Sequence, residues 1–337
     1  MQDPLVDSAP LRTLPGMPSL PTRAEIESAA ALVDPIVRPT PQFSWPLLNA
    51  RAGCELWVKH ENHTRLGSFK VRGGVVYFDA LRRREPDCRG VVCATRGNHG
   101  QSVAFAARRA GLAATVVVPH GNSVEKNAAM RSLGANLVEY GDDFQAALEH
   151  ALVLATERGL HAVPSYSPEL VLGVAVSALD FLQNAPALDA VYVPIGMGSG
   201  ICAMIAARDA LGLPTRIVGV CSAHAPAVAK SFTARRVVVE PASTRLADGL
   251  ACSTPNPEPL HHILRGVERI VEVTDAGVEG AMRACFVDTH NAIEGAAAAS
   301  LAAVFQERVA NAGRRIGAVL TGGNVDAAVF ARVLAGG

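Results

Sequence analysis

The 337-residue sequence has no excess of either charge sign: it contains 31 lysine and arginine residues and 31 aspartate and glutamate residues. Nucleic-acid-binding proteins usually carry a basic surface, so this balance argues against nucleic acid as a partner. Aromatic residues make up only 5% of the chain, so the core must be built from alanine, valine, leucine and isoleucine. Such a core suits helices packed on a sheet, and the length suggests about two domains.

The seven cysteines form no CxxC pair, which removes the usual zinc-ribbon and thioredoxin patterns. We interpret them as small buried hydrophobic residues in a reducing compartment. The apolar stretches around residues 191–207 and 292–305 are interrupted by glycine, proline or glutamate, so neither resembles a membrane span. Near residue 1 there is no basic segment followed by an apolar core, which is the pattern of a secretory signal peptide. We therefore expect a cytoplasmic protein with no membrane partner.

Strand patterns alternate with helix patterns along most of the chain, which predicts an α/β fold with parallel sheets. Residues 1–22 are rich in proline and predict a flexible arm. The predicted strands are residues 55–61, 90–95, 114–119, 136–140, 189–195, 216–222, 269–274 and 316–323. The predicted helices include residues 23–33, 99–110, 168–184, 200–211 and 294–311, one that ends near residue 133 and one that begins near residue 143.

The first motif that could carry chemistry is GSFKVRGG at residues 67–74, a loop that enters a helix and contains Lys70. A lysine at the start of a helix is most often a solvated side chain. Alternatively, a lysine held in a pocket that contains little water has a lowered pKa, and its amine can then form a Schiff base.

The second motif is TRGNHGQ at residues 95–101, between a predicted strand and a helix. Ligands of α/β proteins bind at the carboxyl ends of parallel strands, and amides at the N-terminus of a helix favour an anion such as a carboxylate. Asn98 and Gln101 add neutral hydrogen-bonding groups. An ordinary turn with a helix cap explains the same residues equally well.

The third motif is GMGSG at residues 196–200, which joins a strand to an apolar helix. Such a turn can hold a phosphate through backbone amides and the helix dipole. It is not a dinucleotide fingerprint, because Ile201 follows it and the strand that ends near Cys221 carries no ribose-binding acid. It is not a nucleotide-triphosphate loop either, because no lysine follows the glycines.

The fourth motif is TGGN at residues 321–324, where Thr321 can present a hydroxyl at the end of a strand. Each motif is weak alone, and a plain turn explains this one as well. Together they supply a Schiff-base lysine, a polar loop, a phosphate loop and a hydroxyl. These are the parts that a protein needs to hold pyridoxal phosphate.

The joint pattern resembles the pyridoxal-phosphate enzymes of fold type II, and most of all the serine/threonine dehydratases and serine racemases. The segments that carry the resemblance are KHENHTRLGSFKVRGG, ATRGNHGQSVAFAA, VPIGMGSGI, RLADGLA, AIEGAAAASLAA and LTGGNVD. The resemblance runs from about residue 23 to the end of the sequence and implies two α/β domains of the tryptophan synthase β type. It places a small domain at residues 88–165, inserted into a large domain of residues 23–87 and 166–337.

The resemblance also implies a role for each matching residue. Lys70 matches the lysine that binds the cofactor covalently, and Asn98 matches the asparagine that bonds the pyridoxal 3′-oxygen. Thr321 matches the hydroxyl that faces the pyridine nitrogen. The phosphate would be held by Gly196, Met197, Gly198, Ser199 and Gly200. The ring would be flanked by Phe69, Gly249 and Glu294, and the substrate would meet Ser68, Thr95, Arg96, His99 and Gln101.

Two departures from the family pattern stand out. Racemases of this family carry a serine two residues before the asparagine, whereas this chain has Arg96, a poor general acid near neutral pH. The family's divalent-cation site normally takes carboxylates, whereas the matching positions here are Cys221 and Ala227. We therefore expect little racemisation and no metal site. Arg96 either pairs with a substrate carboxylate or turns outwards to solvent.

The function that the resemblance implies is β-elimination of a 3-hydroxy amino acid such as L-threonine or L-serine, giving a 2-oxo acid and ammonia. Within the family, the alternatives are a dehydratase of a larger or acidic substrate of the hydroxyaspartate or phenylserine type, a β-replacement enzyme and a racemase. Outside it, the alternatives are a nicotinamide-dependent dehydrogenase and an inactive cofactor-binding protein. Family members are often dimeric, which makes a homodimer compatible with this sequence.

Overall fold

The structure, a computed structural model, describes residues 17–336 and contains two sheets covered by helices. The strands are β1 (Gln42–Ser44), β2 (Glu55–His60), β3 (Gly90–Ala94), β4 (Ala113–Val118), β5 (Asn136–Glu139), β6 (His161–Ala162), β7 (Ala190–Pro194), β8 (Arg216–Ser222), β9 (Arg269–Val273) and β10 (Arg315–Leu320). The helices are α1 (Arg23–Val33), α2 (Pro46–Ala52), α3 (Lys70–Arg84), α4 (Asn98–Arg109), α5 (Val124–Ser132), α6 (Phe144–Arg158), α7 (Pro168–Asn184), α8 (Ser199–Ala210), α9 (Ala227–Ala234), α10 (Pro257–Gly266), α11 (Asp275–Thr289), α12 (Gly295–Gln306) and α13 (Ala327–Ala335).

The larger sheet has six strands in the order β1-β2-β10-β7-β8-β9. All neighbouring strands are parallel except β1, which runs antiparallel to β2 at the edge. Every residue of β7 is buried, as expected for a central parallel strand with helices on both faces. The carboxyl ends of β7 and β10 therefore meet at the same edge, which is where ligands bind in such sheets.

The smaller sheet has four parallel strands in the order β5-β4-β3-β6, all within residues 90–162. Helix α3 connects the two sheets. Val71 and Val75 in its first half join the core beside the larger sheet, whereas Phe78 and Leu81 in its second half join the core beside the smaller sheet. The domain boundaries at residues 88 and 165 stay a prediction.

The α/β fold predicted from the sequence is confirmed. The predicted helix at residues 294–311 is too long, because α12 ends at Gln306. The next residue, Glu307, lies outside the helix, and its carboxylate accepts hydrogen bonds from the side chains of Arg269 and Tyr192. The sequence patterns also missed β1, α2, β6, α9, α10, α11 and α13. Most of the predicted arm, residues 1–16, lies outside the described residues, and residues 17–22 form no helix or strand.

Within residues 17–336, no helix is both long enough and apolar enough to cross a membrane.

Candidate active site

A cleft between the two sheets has walls from the carboxyl ends of β3, β7 and β10. Such a cleft, lined by apolar groups and a few polar ones, is the usual form of a small-molecule site. Fourteen of the sixteen residues predicted from the sequence line the cleft. They are Phe69, Lys70, Thr95, Arg96, Asn98, His99, Gly196, Met197, Gly198, Ser199, Gly200, Gly249, Glu294 and Thr321.

Lys70 is the first residue of α3, and its side chain extends into the cleft. Its Nζ donates a hydrogen bond to Ser199 Oγ at 3.2 Å and lies 5.0 Å from the centre of the Phe69 ring. Burial lowers the pKa of Lys70 to about 8, and the nearby Glu294 carboxylate partly offsets this effect. More of the amine is therefore neutral near pH 7 than for an ordinary lysine, and the neutral amine is the nucleophile that forms a Schiff base.

The sequence prediction that Lys70 binds pyridoxal phosphate has a pH dependence that can be measured. The rate at which the cofactor-free protein captures pyridoxal phosphate is expected to rise about tenfold from pH 7 to pH 9 and then level off, because the neutral amine reacts and the pKa of Lys70 is about 8. Stopped-flow absorbance across this pH range measures the rate. In Glu294→Gln, where the carboxylate that raises this pKa is gone, the midpoint should move to lower pH. A rate that keeps rising through pH 10 would show an unperturbed lysine.

The turn at residues 196–200 leads into α8 and leaves its first amides free, since no side chain caps this helix. Gly198 has φ of 99°, a left-handed conformation that favours glycine. A Cβ at Gly196 would overlap the carbonyl oxygen of Gly249, and a Cβ at Gly198 would overlap the ring of Pro259. The turn is thus a tight backbone cradle at a helix N-terminus, which suits a phosphate group.

Asn98 begins α4 and is oriented by two hydrogen bonds. Its Nδ2 donates to Glu294 Oε1 at 2.6 Å, and its Oδ1 accepts from Asn324 Nδ2 at 2.8 Å. These bonds leave one amide hydrogen of Asn98 for a cofactor oxygen. Thr321, which follows β10, is also buried and lines the cleft.

Lys126 on α5 was missed by the sequence analysis, although it lines the cleft. Its Nζ lies 2.7 Å from Asp248 Oδ2 and 3.4 Å from Glu294 Oε2, so it connects the side of the smaller sheet to the side of the larger one. Burial raises the pKa of Glu294, whereas the charge of Lys126 lowers it. No sequence signal pointed to Lys126, because it sits in an ordinary helix 122 residues from Asp248.

Replacing Lys126 by methionine is expected to lower the free energy of unfolding by about 3 kcal/mol, because Asp248 and Glu294 lose their shared counter-charge inside the protein. Urea unfolding measures the change. The control is Lys230→Met, which breaks the exposed pair of Lys230 with Glu240 and should cost less than about 1 kcal/mol. Equal losses in the two variants would contradict the structural role of Lys126.

The loop before α4 offers a second set of free amides. Thr95 Oγ1 accepts hydrogen bonds from the amides of Gly97 at 2.9 Å and Gly100 at 3.3 Å. The amides of Asn98 and His99 find no protein acceptor among residues 17–336. Burial and the charge of Lys70 lower the pKa of His99 to about 3, so its ring is neutral. This corner therefore suits a carboxylate bound by amides.

Ser68 and Gln101 are the two predicted residues that do not line the cleft. Both are buried, and Ser68 Oγ and Gln101 Nε2 each have no hydrogen-bond partner among the described residues. Direct substrate contact by these two stays a prediction. Residues 17–336 contain no cluster of three or more histidine, cysteine, aspartate or glutamate side chains that could hold a metal, and Cys221 lies in the hydrophobic core.

The cleft fits pyridoxal phosphate on the chemistry of its side chains. The half-buried amine of Lys70 lies beside a turn that suits a phosphate, and Asn98 and Thr321 offer hydrogen-bonding groups to a polar ring. Glu294 Oε2 is buried and has no hydrogen-bond partner within the described part of the chain, although the Lys126 ammonium lies 3.4 Å away. This oxygen therefore keeps hydrogen-bonding capacity for a ligand.

Comparisons with known proteins agree with this geometry. A family model described as pyridoxal-phosphate dependent enzyme matches residues 33–322. The chain is 34% identical to an L-threonine ammonia-lyase of Geobacter sulfurreducens over 82% of this chain and 69% of the relative. It is 31% identical to an L-threo-3-hydroxyaspartate ammonia-lyase of a Pseudomonas species over 93% of this chain and 98% of the relative. A crystal structure of a pyridoxal 5′-phosphate-dependent aspartate racemase superposes with a TM-score of 0.86 at 29% identity, covering 92% of this chain and 98% of that one.

Proposed function

Since this chain belongs to the family of pyridoxal-phosphate dependent enzymes, we propose that it is an ammonia-lyase that converts a 3-hydroxy amino acid such as L-threonine or L-serine into a 2-oxo acid and ammonia. The predicted family, fold type and cofactor are confirmed by the family match and the similar structures. The relatives named as ammonia-lyases favour β-elimination chemistry for this chain as well.

The observation that carries the proposal is the position of the half-buried Lys70 side chain, whose amine lies in the cleft beside the turn that suits a phosphate. When bound, pyridoxal phosphate supplies an electron sink that stabilises negative charge at the substrate Cα. Lys70, once its amine is free, is the base that takes the Cα proton. Loss of this proton allows the 3-hydroxyl to leave, and hydrolysis then gives the 2-oxo acid and ammonia.

The other residues of the cleft position the reactants. The amides at residues 196–200 would hold the phosphate, and Asn98 would donate to the 3′-oxygen of the ring. Thr321 would offer the ring nitrogen a hydroxyl rather than a carboxylate, and so no anionic partner. A neutral ring nitrogen moderates the electron sink, and this suits prompt β-elimination over transamination.

The test is to incubate enzyme and cofactor with L-threonine or L-serine and to measure the 2-oxo acid and ammonia in parallel. The proposal predicts equal molar amounts of the two products and little of the D-amino acid, because Arg96 stands at the racemase serine position. The proposal would be overturned by consumption of the amino acid without ammonia. Accumulation of the D-isomer as the main product would favour the racemase alternative.

Assembly and location stay predictions. The seven cysteines are all free, and six of them are buried, which is typical of proteins from a reducing compartment such as the cytoplasm. A homodimer is compatible with the family, and light scattering of the purified enzyme would determine the assembly.

A further inference from the structure

Arg96 differs from the other charged side chains of the cleft in having no partner. The cleft contains two carboxylates, those of Asp248 and Glu294, and Lys126 pairs with both. Among residues 17–336, no carboxylate lies within ion-pair distance of Arg96 and no hydrogen bond involves its guanidinium. The wall of the cleft therefore leaves this one permanent cation uncompensated.

The backbone that carries Arg96 is held in place. The next residue, Gly97, packs directly against the aliphatic stem of Lys126, so that a Cβ at Gly97 would overlap this stem. Thr95 on the other side accepts two hydrogen bonds from the loop amides. Arg96 itself is half-buried and lines the cleft. Its side chain therefore starts from a fixed point, which reduces the entropy that is lost when it binds an anion.

The anionic groups of the cofactor and of a simple amino acid already have places elsewhere. In the proposed function, the phosphate takes the amides at the N-terminus of α8 and the α-carboxylate takes the amides of Asn98 and His99, which have no protein acceptor among the described residues. Arg96 is thus a third anion-binding group, beyond what threonine or serine requires. A half-buried cation without a partner is unfavourable, and a planar guanidinium is well suited to bind a carboxylate through two hydrogen bonds.

We propose that Arg96 binds a second, side-chain carboxylate of the substrate and so makes the enzyme selective for dicarboxylic 3-hydroxy amino acids of the 3-hydroxyaspartate class. This inference rests on the proposed β-elimination and names its substrate class. The elimination is balanced in the same way: the Cα proton and the 3-hydroxyl leave as water, and hydrolysis releases ammonia. The side-chain carboxylate takes no part in the bond changes, so Arg96 is a specificity-determining residue.

The test compares kcat/KM for L-threo-3-hydroxyaspartate and L-threonine in the wild-type holoenzyme, Arg96→Gln and Arg96→Lys. We expect the wild type to prefer the dicarboxylic substrate at least about tenfold. Arg96→Gln should lower kcat/KM for it at least about 30-fold, chiefly through KM, and change the value for threonine less than about threefold. Arg96→Lys keeps the charge without the planar fork and should fall in between. The control is Arg236→Gln, an exposed arginine outside the cleft, which should change neither value.

A binding measurement tests the role of Arg96 without relying on turnover. Succinate, a dicarboxylate that cannot react, should raise the melting temperature of the wild-type holoenzyme more than butyrate does, and this difference should vanish in Arg96→Gln. Equal losses for both substrates in Arg96→Gln would overturn the inference, since Arg96 would then act on the α-carboxylate or on the fold. A wild type that prefers threonine would overturn it as well. Absence of 2-oxo acid from every substrate would instead overturn the proposed function.

Discussion

Replacing Lys70 by alanine is expected to lower kcat for 2-oxo acid formation at least about 10³-fold and to remove the visible absorbance of the lysine-bound cofactor. The reason is that one side chain has two tasks. In the proposed function, the Lys70 amine attaches the cofactor covalently and is then the base for the Cα proton. Among the described residues that line the cleft, the other lysine is Lys126, and its ammonium is taken up by Asp248 and Glu294.

The measurement is steady-state turnover together with an absorbance spectrum of the purified variant. Lys70→Arg is the matched variant, since it keeps the charge and length but has no primary amine to react, and we expect the same loss of absorbance. Lys230→Ala, outside the cleft, should retain both signals. Turnover of Lys70→Ala within tenfold of the wild type would assign the base to another residue.

Replacing Gly196 by alanine is expected to raise the dissociation constant of the cofactor by about 10²- to 10⁴-fold. The added Cβ would overlap the carbonyl oxygen of Gly249, a backbone atom that cannot rotate away as the end of a side chain can. The turn must therefore shift, and the amides that we propose as the phosphate site shift with it. Loss of two charge-assisted hydrogen bonds at about 1.5–3 kcal/mol each gives a change of this size.

Titration of cofactor-free enzyme with pyridoxal phosphate, followed by absorbance, measures this constant. Gly280→Ala is the matched control, because Gly280 lies within α11 and a Cβ there meets no atom within 4 Å. This control should bind the cofactor as the wild type does and be slightly more stable, since alanine favours a helix interior. Unchanged affinity in Gly196→Ala would show that the turn is not the phosphate cradle.

The elements with strong local patterns could be predicted from the sequence. Buried β-branched runs such as β7 and β8 and amphipathic segments such as α1 match the structure within about two residues at each end. Elements that depend on contacts with residues far away in the sequence could not be predicted in this way. Strand β1 has only three residues, and it forms because its backbone pairs with β2 at the edge of the sheet.

The residues of the site also divide into those that could be predicted from the sequence and those that could not. Lys70 and the turn at residues 196–200 could be found because glycines mark tight backbone next to reactive or free polar groups, and glycine leaves a signal in sequence. The contacts of Lys126 could not be predicted from the sequence. The same holds for Asn324, which binds Asn98. Their roles arise only when the chain brings together groups more than a hundred residues apart. Arg96 was visible as a departure from the family pattern, but its missing counter-charge is visible only in the structure.

The central claim is that the amine of Lys70 carries the cofactor in this cleft. The most direct measurement is to reduce the purified holoenzyme with sodium borohydride, digest it and locate the pyridoxyl group by mass spectrometry. The account predicts one modified peptide with the group on Lys70. A pyridoxyl group on Lys126 or on any other lysine, with Lys70 unmodified, would contradict it.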